Sequence, residues 1–254
     1  MSQASRPFTP ERVAQDKARA AAKRSGRPSR RPYTALQIAI HVYALGELAW
    51  IALDLISGRL GANPLQAIQQ RSGRLAVTLL VLSLACSPMN TLFGWREPAK
   101  RSRTLGLYAF LVAFLHILIF LDLDNGLAWD FFSQTIVQKP YILLGMASFL
   151  LLVPLAATSF DIWKLRLGRN WKRLHQLVYL IAPVTVLHYA LSKKGDIFRL
   201  QGDIVRPLIY ALVVLLLLAL RLPVVRRFIS SQRGRLWARF QGAPARAPRR
   251  ATRP

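Results

Sequence analysis

Apolar residues along this chain gather into six stretches, at roughly 33–55, 75–93, 104–121, 141–159, 174–191 and 206–222. Each is close to the ~20 residues a helix needs to cross the hydrocarbon core of a bilayer. The cleanest, Pro207 to Leu220, contains no charged side chain. None shows the two-residue alternation of a membrane β-strand, which leaves the helix as the way to satisfy the backbone away from water. One such run fits the core of a soluble protein. Six in succession predict an all-α, polytopic membrane bundle of six transmembrane helices. Residues 58–64 read as an irregular loop on the outer side, and Pro88, Pro154 and Pro183 as candidate kinks.

The residues between the stretches set the orientation. Of 36 Lys and Arg, 28 fall in the first 32 residues, in 94–103, in 160–173 and from Arg221 onward. The segments 56–74, 122–140 and 192–206 share the other 8. Basic residues collect on the cytoplasmic side, so both termini are expected there. Tyr33, Trp95, Trp163 and Trp171 then mark the cytoplasmic ends of the helices, and Trp50 and Trp129 the opposite ends. The chain divides into a basic, disordered tail over 1–32, a transmembrane domain over 33–222 and a basic tail over 223–254. The first tail has no short apolar core ahead of a cleavage site, so the first helix is expected to be an uncleaved anchor.

Composition narrows the chemistry. The formal charge is +25, with 11 acidic residues. Such charge suits nucleic acid, but here it brackets membrane spans, so membrane lipids are the expected partner and nucleic acid is not. Leu236, Trp237 and Phe240 among arginines suggest a helix lying on anionic lipid. The one cysteine, Cys86, excludes an internal disulfide, a zinc knuckle and an Fe–S cluster; with Met89 it reads as a packing residue. Asp54 lies near the outer end of the first span and is expected to reach water. Glu47 lies deeper, where it could pair with an arginine or move protons near a quinone.

All four histidines lie inside spans: His41 in the first, His116 in the third, His175 and His188 in the fifth. Taken singly, each could make an ordinary interhelical hydrogen bond. Together they are what a membrane bundle uses to hold haem iron. Counted from Thr104 and Leu174 at about 1.5 Å per residue, His116 and His188 lie roughly 18 and 21 Å in. Matching depths on parallel helices predict one haem clamped between them. His175 lies about 20 Å below His188, where a second haem could sit. Thirteen residues of ideal helix leave those two side chains some 140° apart, with Pro183 between them able to distort the turn. His41 matches the level of His175 poorly, which makes it a weak ligand candidate.

Several separate segments carry a family resemblance. They are Arg101-Ser-Arg-Thr-Leu-Gly-Leu-Tyr-Ala-Phe110 with Leu115-His116, and Leu167-Gly-Arg-Asn-Trp-Lys-Arg-Leu-His-Gln-Leu-Val-Tyr179 with His188-Tyr189. Gly58 to Ile68 with Ser72-Gly73, and Lys139 to Gly145, resemble outer-loop segments of the same family. Over about residues 33–222 the chain resembles the MsrQ family, the haem-binding membrane subunits of bacterial periplasmic methionine-sulfoxide reductase systems. That family belongs to the ferric-reductase-like transmembrane superfamily. The resemblance implies the bacterial inner membrane, one or two b-type haems on His116, His175 and His188, an associated FMN, quinol as electron donor and a periplasmic molybdopterin reductase as acceptor. His41 falls where the family has a first-helix histidine. An FMN phosphate would suit the basic run containing Arg101 and Arg103, although the same run is what orientation alone demands.

There is no Gly-x-Gly-x-x-Gly and no strand–helix alternation to host a dinucleotide domain. The expected role is an electron-transfer subunit, a cytochrome b passing electrons across the membrane, with catalysis in a partner. Asp122, Asp124, Asp130, Asp196 and Asp203 beside Lys193 and Lys194 offer that partner an outer docking surface. Two rival readings stay open: a stand-alone transmembrane ferric or quinone reductase, and a small transporter or assembly scaffold using histidines as polar contacts.

Overall fold

The computed structural model describes residues 11, 34–124, 139–193, 195–196, 201–202 and 204–240. The chain separates into a unit Met1–Ala35, in which Glu11 is helical, and a unit Leu36–Pro254 that holds the bundle. Its elements are α1 (Ala35–Ile56), α2 (Pro64–Phe93), α3 (Arg96–Leu118, continued by a π turn over Ile119–Asp124), α4 (Pro140–Ala157), α5 (Asp161–Leu167), α6 (Arg169–His175), α7 (Val178–Leu191), α8 (Val205–Ala219) and α9 (Pro223–Phe240). A two-residue antiparallel pairing, Gly195–Asp196 with Gln201–Gly202, precedes α8. Five helical runs are long and apolar enough to cross a membrane, with α6 and α7 counted as one. A sixth candidate span is the pair formed by α8 and the start of α9, Val205–Ala219 with Pro223–Ile229, bent by 77°. The expected six-helix membrane bundle is what the chain forms.

Two helices start earlier than the hydrophobic pattern indicates. The second begins at Pro64 rather than near 75. The Asn63 side chain accepts from the Gln66 amide, and Pro64 fills the first turn, where its missing N–H costs nothing. The third begins at Arg96, so the basic run near 94–103 is helix and not loop. The connection shrinks to Gly94-Trp95, with Gly94 at φ 73° closing α2 through its amide on Asn90. So short a link makes α2 and α3 antiparallel neighbours, and they pack more extensively than any other pair. Small side chains allow this approach: Ser83 donates to the Ser102 carbonyl at 2.8 Å and Ser102 returns the bond to the Ser83 carbonyl at 3.1 Å.

The remaining helices fold around this pair. Helix α7 packs on α2, α4 and α8. Helices α2, α4 and α7 run through Pro88, Pro154 and Pro183. The distortion between His175 and His188 sits instead around Gln176-Leu177, where the amides of Gln176, Leu177, Tyr179 and Leu180 make bonds of the i to i−3 type. Arg221 occupies the α8–α9 bend and donates to the Leu84 carbonyl and the Tyr179 hydroxyl, with its guanidinium 4.8 Å over the Tyr179 ring. The tail read as 223–254 thus opens with a helix to Phe240 that contacts α2. The tail 1–32, Trp129, Asp130, Lys194, Asp203 and the side chains of Asp122, Asp124, Asp196, Leu236, Trp237 and Phe240 lie outside the described residues.

Asp54 does not face water as expected. It is 6% exposed, accepts from Arg71 at 2.5 Å and is ion-paired with Arg59 at 3.2 Å. The reason is the early start of α2, which brings Arg71 on a helical turn to the end of α1. Asp54→Ala strands a half-buried guanidinium and is expected to cost about 3 kcal/mol. Arg59→Gln, at a 55% exposed side chain, is expected to cost under about 1 kcal/mol. Thermal unfolding in detergent micelles checks the order, with Arg71→Gln between the two.

Candidate functional site

Three of the four histidines adopt one local chemistry. His116, near the end of α3, has Nδ1 3.1 Å from the Ser72 hydroxyl of α2. That hydroxyl donates to the Gln69 carbonyl, so it accepts from the ring. His188 on α7 has Nδ1 2.6 Å from the Tyr141 carbonyl of α4. His175, ending α6, has Nδ1 3.1 Å from the Trp171 carbonyl, and its Nε2 is buried without a hydrogen-bond partner. A carbonyl only accepts, so each Nδ1 carries the proton and a neutral ring keeps its Nε2 lone pair. This is the arrangement by which a second contact orients a metal-ligating imidazole.

The structure brings His116 and His188 together. Their ring centroids are 6.5 Å apart at 82°. Each ring rests where an ordinary side chain would stand. A Cβ on Gly73 of α2 would lie 3.0 Å from His116 Cε1, and one on Gly145 of α4 would lie 2.7 Å from His188 Cε1. Glycine here is a requirement of close approach. Ser72-Gly73 and Gly145, read as outer-loop segments, are helical residues packed on the two rings. Sequence reasoning missed their role because nothing in one sequence ties a glycine to a histidine more than forty residues away.

His175 keeps separate company at the other end of its span. Its ring stacks on Trp171 at 4.1 Å, and Trp171 Nε1 donates to the Thr158 carbonyl at 2.9 Å. Phe110, Phe114 and Phe149 stack between α3 and α4, Phe110 on Phe149 at 5.6 Å and 6°. His41 bonds the Tyr108 hydroxyl of α3 through Nδ1 at 2.6 Å. In the basic run, Arg103 pairs with Asp161 at 2.6 Å, and Arg101 lies 4.0 Å from Glu97, which also holds Lys100. Cys86 is buried and donates to the Leu82 carbonyl. Among the described residues no three or more His, Cys, Asp or Glu cluster as an ion site.

Residues 72–186 match the family described as ferric reductase like transmembrane component. The chain is 42% identical over 193 residues to the protein-methionine-sulfoxide reductase heme-binding subunit MsrQ of Rhodospirillum rubrum, covering 75% of this chain and 89% of that protein. It is 38% identical to the same-named proteins of Caulobacter vibrioides (68% of this chain, 83% of that one) and Xanthomonas campestris pv. campestris strain 8004 (85% and 96%). This chain belongs to the MsrQ family. No solved structure matches it. As an MsrQ-family member with these spans it is a multi-pass protein of the bacterial inner membrane. The family match begins at Ser72 and includes Gly73, His116, Gly145 and His175; it ends two residues before His188.

With any bound metal stripped, 15N-histidine NMR is expected to show His116, His175 and His188 in the Nδ1–H tautomer. A protonated Nε2 on His188 would mean that the Tyr141 carbonyl does not orient it.

Proposed function

We propose that this chain is the haem-binding electron-transfer subunit of a membrane methionine-sulfoxide reductase system. It takes electrons from quinol and delivers them to a periplasmic molybdopterin reductase. The observation that carries this reading is the facing pair His116 and His188, each pinned through Nδ1 and seated on a glycine. The two rings face each other 6.5 Å apart, and with Nδ1 committed each would offer its Nε2 lone pair to a metal held between them. The residues therefore fit a haem iron, with His175 and its unpartnered Nε2 serving a second, inner one. Haem, when bound, supplies reversible one-electron chemistry.

The chain's own residues do the rest. Ser72 and the Tyr141 carbonyl fix ring orientation, the two glycines give room, and apolar side chains exclude water. Phe110, Phe114 and Phe149 fill the stretch of α3 and α4 below the outer pair with stacked rings. His41, engaged by Tyr108, is given no ligand role. An FMN phosphate at Arg101 and Arg103 would compete with Glu97, 4.0 Å from Arg101, and with the exposed Asp161, paired to Arg103. The basic asymmetry supports cytoplasmic termini, which puts His116 and His188 at the periplasmic level. The buried Nε2 of His175, without a hydrogen-bond partner, favours a ligand there over a polar contact alone.

The reduced-minus-oxidised optical spectrum of the purified protein tests the site. A b-type band is expected, and His116→Ala and His188→Ala should remove the same component while His175→Ala spares it. Gly145→Ala should act like His188→Ala, and Gly73→Ala more mildly, in the order of their contacts with the rings. A flat spectrum from the unsubstituted protein overturns the reading.

The partner has its own test. Protein reduced in membranes by quinol should be reoxidised by the purified periplasmic enzyme with methionine sulfoxide. Haem that stays reduced there, yet reoxidises with ferric chelates, favours the stand-alone metal reductase.

A further inference from the structure

Helix α1 approaches its neighbours less closely than they approach one another. Between it, α2 and α8 lies a cavity of about 580 Å³, within the range of small-molecule sites. Its lining is polar at the level of a membrane span: Tyr43 and Glu47 of α1, Arg74 and Thr78 of α2, Tyr210 of α8, and Arg71, already committed to Asp54. Trp50, Ile51 and Leu75 add flat and apolar walls. Tyr43 and Trp50 are 39% and 59% exposed on the outer surface of the bundle, so the cavity opens sideways, toward lipid. Among the described residues neither Glu47 nor Arg74 forms a salt bridge, although both face this space. An ionisable side chain inside a span is costly and signals a functional contact.

We infer that this cavity binds the ring of a lipid-soluble hydroquinone, with Glu47 accepting from one ring hydroxyl and Arg74 donating to the oxygen across the ring. The lining favours that class over a lipid phosphate. A phosphate would need two uncommitted cations and no carboxylate, whereas this site offers one such arginine facing a glutamate. It also offers hydroxyls: Thr78 gives its proton to the Arg74 carbonyl at 2.7 Å and accepts from Tyr210 at 2.6 Å. The placement suits electron donation. Arg71, Arg74 and Thr78 face the cavity, while Ser72 and Gly73 of the same turns touch His116. The cavity and His116 are thus separated by one helix, about 10 Å across.

The inference rests on the haem reading proposed above and names the entry point for its electrons. Oxidation of one hydroquinone breaks two O–H bonds. A haem held by His116 and His188 would take the hydroquinone's two electrons one at a time, passing each on to the periplasmic acceptor before the next arrives. The two protons are taken up in turn by the exposed Glu47 carboxylate and handed on to water at the membrane interface, and the quinone returns to the lipid.

The test uses the purified full-length protein in phosphatidylcholine nanodiscs, with decyl-ubiquinone as probe and tryptophan fluorescence as readout. Quenching should saturate, and Trp50→Phe should remove most of it. Glu47→Gln and Arg74→Gln should each weaken apparent affinity by about tenfold or more, with the dithionite-reduced haem spectrum unchanged. Tyr43→Phe and Thr78→Val, which keep volume and charge, serve if either loses the haem spectrum, and are expected to weaken binding by about threefold or more. Unaltered affinity in variants with a normal haem spectrum overturns the site and leaves the cytochrome standing. So does quenching that survives Trp50→Phe, or a probe displaced by phosphatidylglycerol, which would mark an anionic-lipid site. A haem-free wild-type protein that still binds the probe fails the cytochrome reading instead.

Discussion

Lipid tails are as apolar as leucine, so inside a bilayer the burial of hydrocarbon does not by itself choose which helix meets which. The choice falls to the few polar contacts, and several of them are made by α2. Arg71 reaches Asp54 of α1, Ser72 reaches His116 of α3, Thr78 reaches Tyr210 of α8, and Ser83 exchanges bonds with Ser102 of α3. The Leu84 carbonyl takes Arg221 from the α8–α9 bend. These contacts sit on successive turns and point in different directions. Helix α2 therefore fixes both the order of its neighbours and their height along the membrane normal. Height matters most for the site, because two imidazoles on separate helices meet only if their levels agree.

The sequence made those levels readable. Counting residues from the charged ends put His116 and His188 at matching depth, and the structure sets their rings 6.5 Å apart. The count worked although the assumed starts of α3 and of the fifth span were eight and five residues late. Errors of similar size on parallel helices nearly cancel in a difference of heights. The early start of α2 was also signalled, by Asn63-Pro64, but the polar residues from Gln66 to Arg74 resembled a loop. They are helical because one face carries Arg71 and Arg74 toward α1 and α8 and the other carries Ser72 and Gly73 toward α3. Periodicity over so short a mixed stretch does not separate these faces. The fate of Asp54 was illegible for the same reason.

What no single sequence discloses is the complement of each histidine. A glycine admits a ring only if the facing helix presents one at that height, and a carbonyl orients an imidazole only if no other donor reaches it first. Gly145 and Tyr141 lie four residues apart on α4 and both meet His188. One turn of α4 thus supplies both the space and the orienting acceptor. Gly73 and Ser72 do the same for His116 from α2. The repetition of one device on two helices is the strongest internal sign that ring placement, and not general packing, is what these turns serve.

The same constraint accounts for the looseness of α1. A helix held by Asp54 at one end and by His41 on Tyr108 further along need not press its middle against the bundle. Its middle is where Glu47 stands. Closing α1 onto α2 would bring Glu47 toward Arg74 and remove the most expensive feature of the span, a pair of ionisable groups without a mutual salt bridge. Helix α1 is held at both positions, and Glu47 and Arg74 line the cavity without a mutual salt bridge. A gap maintained at such cost is one that a bound ligand would stabilise, since a molecule bridging the two groups replaces the hydrogen bonds that the bundle withholds from them.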